Sequence, residues 1–242
     1  LVPWTGSNSW TITGNLIAAS VAIGLDAEST GTGHQIVNNT ITGNGTAGGQ
    51  TAGVTLGGSG HTVSRNIVSG NRGSGISVST GATGVQITAN AMSGNNTAAV
   101  AGRAAGISLG GSVQGTSVHV NDGAKTAGQA NLLMDYPVFT ASSLSGTTLT
   151  VAGYVGTAAG QATFAGARVE IFVSDNDASG YGEGQTYLGF VTEDASGNFS
   201  GSLTVSGVTA SNRLTATATD GSGNTSEFGP TALINASVTG TV

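Results

Sequence analysis

Apolar and polar residues alternate in short blocks through the first half of the chain, and the blocks recur. Trp10-Thr-Ile-Thr-Gly-Asn15-Leu-Ile17, His34-Gln-Ile-Val-Asn-Asn39-Thr-Ile41, His61-Thr-Val-Ser-Arg-Asn66-Ile-Val68 and Val85-Gln-Ile-Thr-Ala-Asn90-Ala-Met92 align without gaps. A second block follows each: Val21-Ala-Ile23-Gly-Leu25, Ala52-Gly-Val54-Thr-Leu56, Ser74-Gly-Ile76-Ser-Val78 and Ala105-Gly-Ile107-Ser-Leu109. Alternation with period two is the mark of a strand with one buried face. Two such short strands cannot form a core alone, but stacked periods can, with equivalent residues about 4.8 Å apart. The pattern predicts a parallel β-helix over residues 1–125, of four full coils and a partial fifth that begins at Thr116. Its core columns are Ile12, Ile36, Val63, Ile87 and Val118; Ile17, Ile41, Val68 and Met92; Ile23, Val54, Ile76 and Ile107; and Leu25, Leu56, Val78 and Leu109.

One polar position recurs in register with these columns: Asn15, Asn39, Asn66, Asn90 and Asn121. An amide both donates and accepts, so stacked Asn side chains can bond from coil to coil, as in other in-register parallel stacks. Coil length varies at one corner, where segments 42–53 and 93–106 are longer than their counterparts. Insertions of this kind commonly project from the binding face of a repeat protein, although loop growth is also thermodynamically cheap.

The repeat breaks after Asp122, and residues 126–136 read as a junction. From Pro137 the spacing changes to separate strands with turn signals between them. Val138–Ala141, Thr147–Val155, Ala167–Ser174, Thr186–Thr192, Asn198–Val205, Arg213–Thr219 and Thr225–Gly229 predict a sandwich over 137–230. Residues 231–242 add a strand, in which Ile234, Ala236, Val238 and Val242 alternate with polar positions.

The runs Ile36–Asn44, Val63–Asn71 and Ile87–Asn95 resemble the right-handed parallel β-helix repeat family of bacterial surface and secreted proteins. The second half resembles the bacterial immunoglobulin-like modules that follow such helices. That resemblance rests on Ser179-Gly-Tyr-Gly-Glu-Gly-Gln-Thr-Tyr-Leu-Gly189, Asp194-Ala-Ser-Gly-Asn198 and Ala216-Thr-Ala-Thr-Asp-Gly-Ser-Gly-Asn-Thr-Ser-Glu-Phe228. Together they imply an all-β chain, a right-handed helix of four to five coils followed by an immunoglobulin-like sandwich, with a surface adhesion or structural role.

Composition narrows the chemistry. Only 7% of residues are charged, 42 are Gly and none is Cys, so neither a disulfide scaffold nor a thiolate metal site is available. The net charge of −6 lies wholly after Asp135. That balance argues against nucleic acid as a partner, and no apolar run is long enough for a membrane span. A start at Leu1 without Met or a signal pattern predicts a processed or fragmentary secreted product.

Glycoside hydrolysis usually needs two carboxylates flanking one bond, yet the coils carry only Asp26 and Glu28 before Asp122. No catalytic residue is therefore assigned. His34 and His61 share a repeat slot with Trp10 and Val85, which fits a packing column better than a metal site. Asp175, Asp177, Ser179 and Glu183 follow the opening of a calcium loop, but Thr186 stands where a bidentate Glu is expected. No cofactor is required on this reading, and calcium is the one candidate. The leading expectation is a non-enzymatic extracellular protein that joins copies of itself head to tail, through the open helix end and the C-terminal strand. The alternatives are an adhesion module binding a carbohydrate or a cell-surface or matrix protein through the loops at 42–53 and 93–106, and a polysaccharide lyase or hydrolase.

Overall fold

The computed structural model of the protein describes residues 8–28, 31–47, 52–97, 106–110, 118–175 and 177–236. Each period of the first half supplies three short strands rather than the expected two. They are β1 (Thr11–Thr13), β2 (Leu16–Ala18) and β3 (Leu25–Ala27), then β4 (Gln35–Val37), β5 (Thr40–Thr42) and β6 (Ala52–Leu56). β7 (Thr62–Ser64), β8 (Ile67–Ser69) and β9 (Ser74–Val78) follow, then β10 (Gln86–Thr88), β11 (Ala91–Ser93) and β12 (Ile107–Leu109). They stack into three parallel sheets, β1-β4-β7-β10, β2-β5-β8-β11 and β3-β6-β9-β12. The extra strand arises because each Asn block bends in its middle. Gly14, Asn38, Arg65 and Ala89, one residue before the four stacked Asn, all have positive φ.

The fold is an all-β solenoid of about three turns, since β1 and β10 are three turns apart. The expected four coils with a fifth are corrected accordingly. Val118 leaves the stack to pack on Tyr136, with Val138 and Tyr181 alongside. Two of the four predicted core columns form as aligned, apart from Val118, but both columns of the third sheet are shifted in the first coil. There Leu25 aligns with Val54 and Ile76, and Ala27 aligns with Leu56 and Val78. Ile23 lies outside β3, and Val21 is 65% exposed.

The reason for the shift is a glycine column, Gly24, Gly53, Gly75 and Gly106, beside a second Asn ladder. A Cβ on Gly53 would lie 2.6 Å from the Gly75 carbonyl oxygen and 2.8 Å from Asn71 Nδ2. Gly24 meets Asn44 in the same way, at 2.7 Å. Only Gly lets the backbone pass this corner, so glycine rather than the apolar alternation fixes the register.

After a junction with a short 3-10 turn at Ala130–Leu133 come β13 (Pro137–Ser145), β14 (Thr148–Val155), β15 (Arg168–Ser174) and β16 (Gly184–Thr192). β17 (Asn198–Thr204), β18 (Arg213–Thr219), β19 (Ala232–Leu233) and β20 (Asn235–Ala236) complete the described strands. They form two four-stranded sheets, β17-β14-β13-β20 and β16-β15-β18-β19. Leu149, Val151, Phe199, Val169, Ile171, Leu214 and Ala216 close a core between the sheets.

Thr225–Gly229, expected as the seventh strand, is not one; a bridge from Thr219 to Thr225 and two backbone bonds to β18, from Ser226 N to Ala218 O and from Gly229 N to Ala216 O, remain of it. Its side chains are drawn instead to the end of the solenoid, where a further coil would otherwise be needed to pair the backbone. Ile87 N donates to Thr225 Oγ1 at 2.9 Å, Leu109 N to Glu227 Oε1 at 3.0 Å, and His119 N to Glu227 Oε2 at 2.7 Å. Phe228 joins Phe172 in the solenoid core. Asn131 accepts from Val85 N at 3.0 Å and returns a bond to its carbonyl at 2.8 Å. Glu170 accepts from Ala89 N at 2.8 Å and from the Thr88 hydroxyl. The second half thus supplies, side chain by side chain, the acceptors of a missing coil.

Candidate functional site

Asn15, Asn39, Asn66 and Asn90 form a continuous hydrogen-bonded ladder. Asn39 N and Nδ2 both donate to Asn66 Oδ1, at 2.8 and 3.0 Å, and Asn66 N and Nδ2 both donate to Asn90 Oδ1, at 2.9 Å each. Asn121 stands elsewhere: it is bonded to Tyr136 N and O and to the Gly156 carbonyl at the junction. The second ladder, Asn44, Asn71 and Asn95, was present in the sequence as the Gly-Asn pairs that end three of the repeat runs. Glu183 terminates it, accepting from Asn95 N at 2.6 Å and from Asn95 Nδ2 at 2.5 Å.

Glu183 belongs to the loop read as a calcium-binding candidate. Asp175 accepts from Gly94 N of the solenoid at 3.0 Å and from Glu183 N at 2.9 Å, while Asp177 caps Ser179 N at 2.8 Å. These bonds hold the loop and its contact with the solenoid. Among the described residues no cluster of three or more His, Asp or Glu could hold a metal. Of the C-terminal strand, Ile234 is buried in the core of its own sandwich, and Ala236 lies opposite Leu144 in a parallel pairing of β20 with β13. Val238 and Val242 lie outside the described residues, as do parts of both long loops. Asp26 stands in β3, level with Thr55, Ser77 and Ser108 on the outside of the third sheet, and exposed Glu28 accepts from the Ser79 hydroxyl at 3.4 Å.

An open polar cavity lies where the outer face of the first sheet meets the second half. It is a cleft of about 520 Å³, within the range of ligand sites. Thr62 and Gln86 project from one wall, and Arg168 and the turn Thr219–Gly223 form the other. The turn is seated by Gly84 N, which donates to Asn224 Oδ1 at 2.8 Å. Gly84 and Gly223 both have positive φ and meet backbone to backbone, so a side chain at either would be strained, and one at Gly84 would also crowd the Ser222 carbonyl at 3.1 Å.

Two ion pairs set the electrostatics. Arg168 Nε donates to Glu170 Oε1 at 3.0 Å, its Nη2 donates to the Tyr187 hydroxyl at 3.0 Å, and its guanidinium lies 3.4 Å above the half-exposed Phe190 ring. Lys125 Nζ donates to Asp220 Oδ2 at 2.8 Å. Burial pushes the Asp220 carboxyl up, but Lys125 and Asn224 outweigh it and hold the group below the usual carboxylate range. Asp220 is therefore an anion at neutral pH. His61 also borders the cleft, with burial lowering its pKa. Both its nitrogens are engaged, Nδ1 by His34 N at 3.1 Å and Nε2 by the Gly57 carbonyl at 2.6 Å. Trp10, His34 and His61 stack as a packing column, with ring centroids 4.9 and 4.7 Å apart.

Sequence reading did not single out Arg168, Asp220, Thr62 or Gln86 as a group. They lie far apart along the chain, and the one local signal was Asp220-Gly-Ser-Gly-Asn224, a turn sequence. No protein-family model matches the chain. Among solved structures it is similar to the enzymatically active domain of tailspike protein 2 of bacteriophage CBA120, at 14% identity and a TM-score of 0.31. The match covers 89% of this chain and 48% of that one, so the protein spans about half the length of its match. The expectations of a non-enzymatic structural or adhesion subunit, and of no enzyme, are corrected by this similarity to an enzymatically active domain. Among the described residues no helix is long and apolar enough to cross a membrane.

Proposed function

We propose that the protein is a polysaccharide-acting enzyme, a lyase or hydrolase, whose glycan site is the cleft between the solenoid and the second half. The observation that carries this reading is an open polar cleft with Asp220 held ionised in its wall, opposite Thr62 and Gln86. A lyase step asks for a charged base, which Asp220 supplies, and hydrolysis would draw its second carboxylate from outside the residues lining the cleft. The amide, hydroxyl and guanidinium around it suit the hydroxyls of sugar rings, and an extracellular location goes with this reading.

The test is incubation with a panel of neutral and acidic polysaccharides, reading new reducing ends and the ultraviolet absorbance of unsaturated ends. Cleavage of at least one polymer is expected, with Asp220→Asn slower by about 100-fold or more. A folded protein that cleaves none of the panel, or an Asp220→Asn variant of undiminished rate, overturns the proposal.

The immunoglobulin-like reading of the second half is part of the same proposal. What supports it is the strand order: β13, β14 and β17 share one sheet, and β15 and β18 share the other. This corresponds to strands A, B and E facing C and F, with the fourth strand beside the third.

A further inference from the structure

The cleft continues into a row of uncharged side chains on the outer face of the first sheet. The register aligns Thr11 with Gln35, Gln35 with Thr62, and Thr62 with Gln86. Each step is one coil, about 4.8 Å, so the row runs for about 14 Å along the solenoid axis. Thr11 and Gln35 are exposed, and Thr62 and Gln86 already line the cleft. The other faces differ. The second sheet presents Leu16, Thr40, Ile67 and Ala91 at the equivalent positions. The third presents Asp26, Thr55, Ser77 and Ser108, with Thr55 and Ser108 buried.

We infer that this row is a chain of subsites for an uncharged linear glycan lying along the solenoid axis and entering the cleft at Thr62. The inference rests on the proposal that the cleft acts on polysaccharide, and it names the substrate class. Gln and Thr each donate and accept, which matches sugar hydroxyls that do both. Among the described residues an anionic polymer finds no free cation lining the cleft. Arg168 is paired with Glu170, and Lys125, behind the turn, is paired with Asp220. The exposed Arg65 sits at the neighbouring corner and donates to Asn38 Oδ1.

The experiment is calorimetric titration of the whole protein with cello- and malto-oligosaccharides from di- to octasaccharide, and with oligogalacturonides, at low and high salt. Neutral oligomers should bind more tightly as they lengthen, with little effect of salt. Gln35→Ala, outside the cleft and exposed, should keep the melting temperature and leave the shortest oligomers unchanged. It should weaken the longest by about three- to tenfold. Tightest binding of oligogalacturonides with strong salt dependence, or an unchanged Gln35→Ala variant, overturns the inference. If neutral oligomers bind in this length-dependent way but no polymer is cut, the row stands and the enzymatic proposal fails. If polymers are cut while Gln35→Ala has no effect, the enzymatic proposal stands and the row fails.

Discussion

Asn66→Ala and Asn15→Ala remove the same side chain from two rungs of one ladder, and they should differ severalfold in cost. Asn66 is buried at the centre. Its Oδ1 is the acceptor for Asn39 N at 2.8 Å, and its Nδ2 donates to the carbonyls of Ile36 at 2.8 Å and Ser64 at 3.1 Å. Truncation orphans a buried backbone donor, worth about 1–3 kcal/mol, and removes four further bonds of about 0.5–1 kcal/mol each. The total is about 3–7 kcal/mol. Asn15 is exposed, and its amide donates to Thr13 O and Asn39 Oδ1 at 2.9 and 3.1 Å. Water can replace both contacts, so the loss should stay near or below about 1 kcal/mol. Urea unfolding reads the difference directly, and thermal unfolding should place Asn66→Ala about 10 °C below wild type for a chain of this size. If the two variants fall within about 1 kcal/mol of each other, the ladder does not carry the stability argued for it.

Burial pushes the Glu183 carboxyl up to about 7, against the donors of Asn95, and Glu193 likewise to about 7. Both folded values exceed the unfolded one, so their stabilising contribution is complete below about pH 4.5 and is lost as pH rises through about 7. For Glu183 this amounts to about 3 kcal/mol, and Glu183→Gln should flatten that part of the slope between about pH 5 and pH 8 in denaturant midpoints; an unaltered slope counts against the assignment. Gly53→Ala should destabilise by about 3 kcal/mol or more, because its Cβ would meet the Gly75 carbonyl at 2.6 Å, whereas Gly81→Ala meets nothing within 4 Å and should show only the strain of its positive φ. Equal midpoints for the two would refute the glycine-column account. Phe228→Ala empties a buried site against Phe172, whose ring centre is 5.5 Å away, and should cost about 3–5 kcal/mol. Limited proteolysis should then cut the junction at 119–136 faster than in wild type, and an unchanged rate would mean that Phe228 does not help to clamp the halves.

The solenoid is legible in the residues alone. Apolar residues at every second position, in blocks that recur every 24 or 27 residues, can bury so many short strands by stacking, and Ile36, Val63 and Ile87 stack as their alignment requires. It also carried both Asn ladders, although the second was visible only as Gly-Asn pairs at the ends of the runs. Alternation alone misplaced the first coil of the third sheet, because Ile23 and Leu25 satisfy the pattern equally in either register. Steric exclusion at Gly24 and Gly53 decides between them, and that exclusion exists only once the coils are stacked. The fate of Thr225–Gly229 was likewise undecidable from its own residues. A β-forming segment with Thr225, Glu227 and Phe228 on it pairs with a sheet or caps a solenoid according to which unpaired donors lie nearby. Here the backbone keeps two bonds to β18 while the Thr225 and Glu227 side chains take Ile87 N, Leu109 N and His119 N. The cleft was hidden for the same reason: Thr62, Gln86, Arg168 and Asp220 become neighbours only because the second half docks on the end of the first.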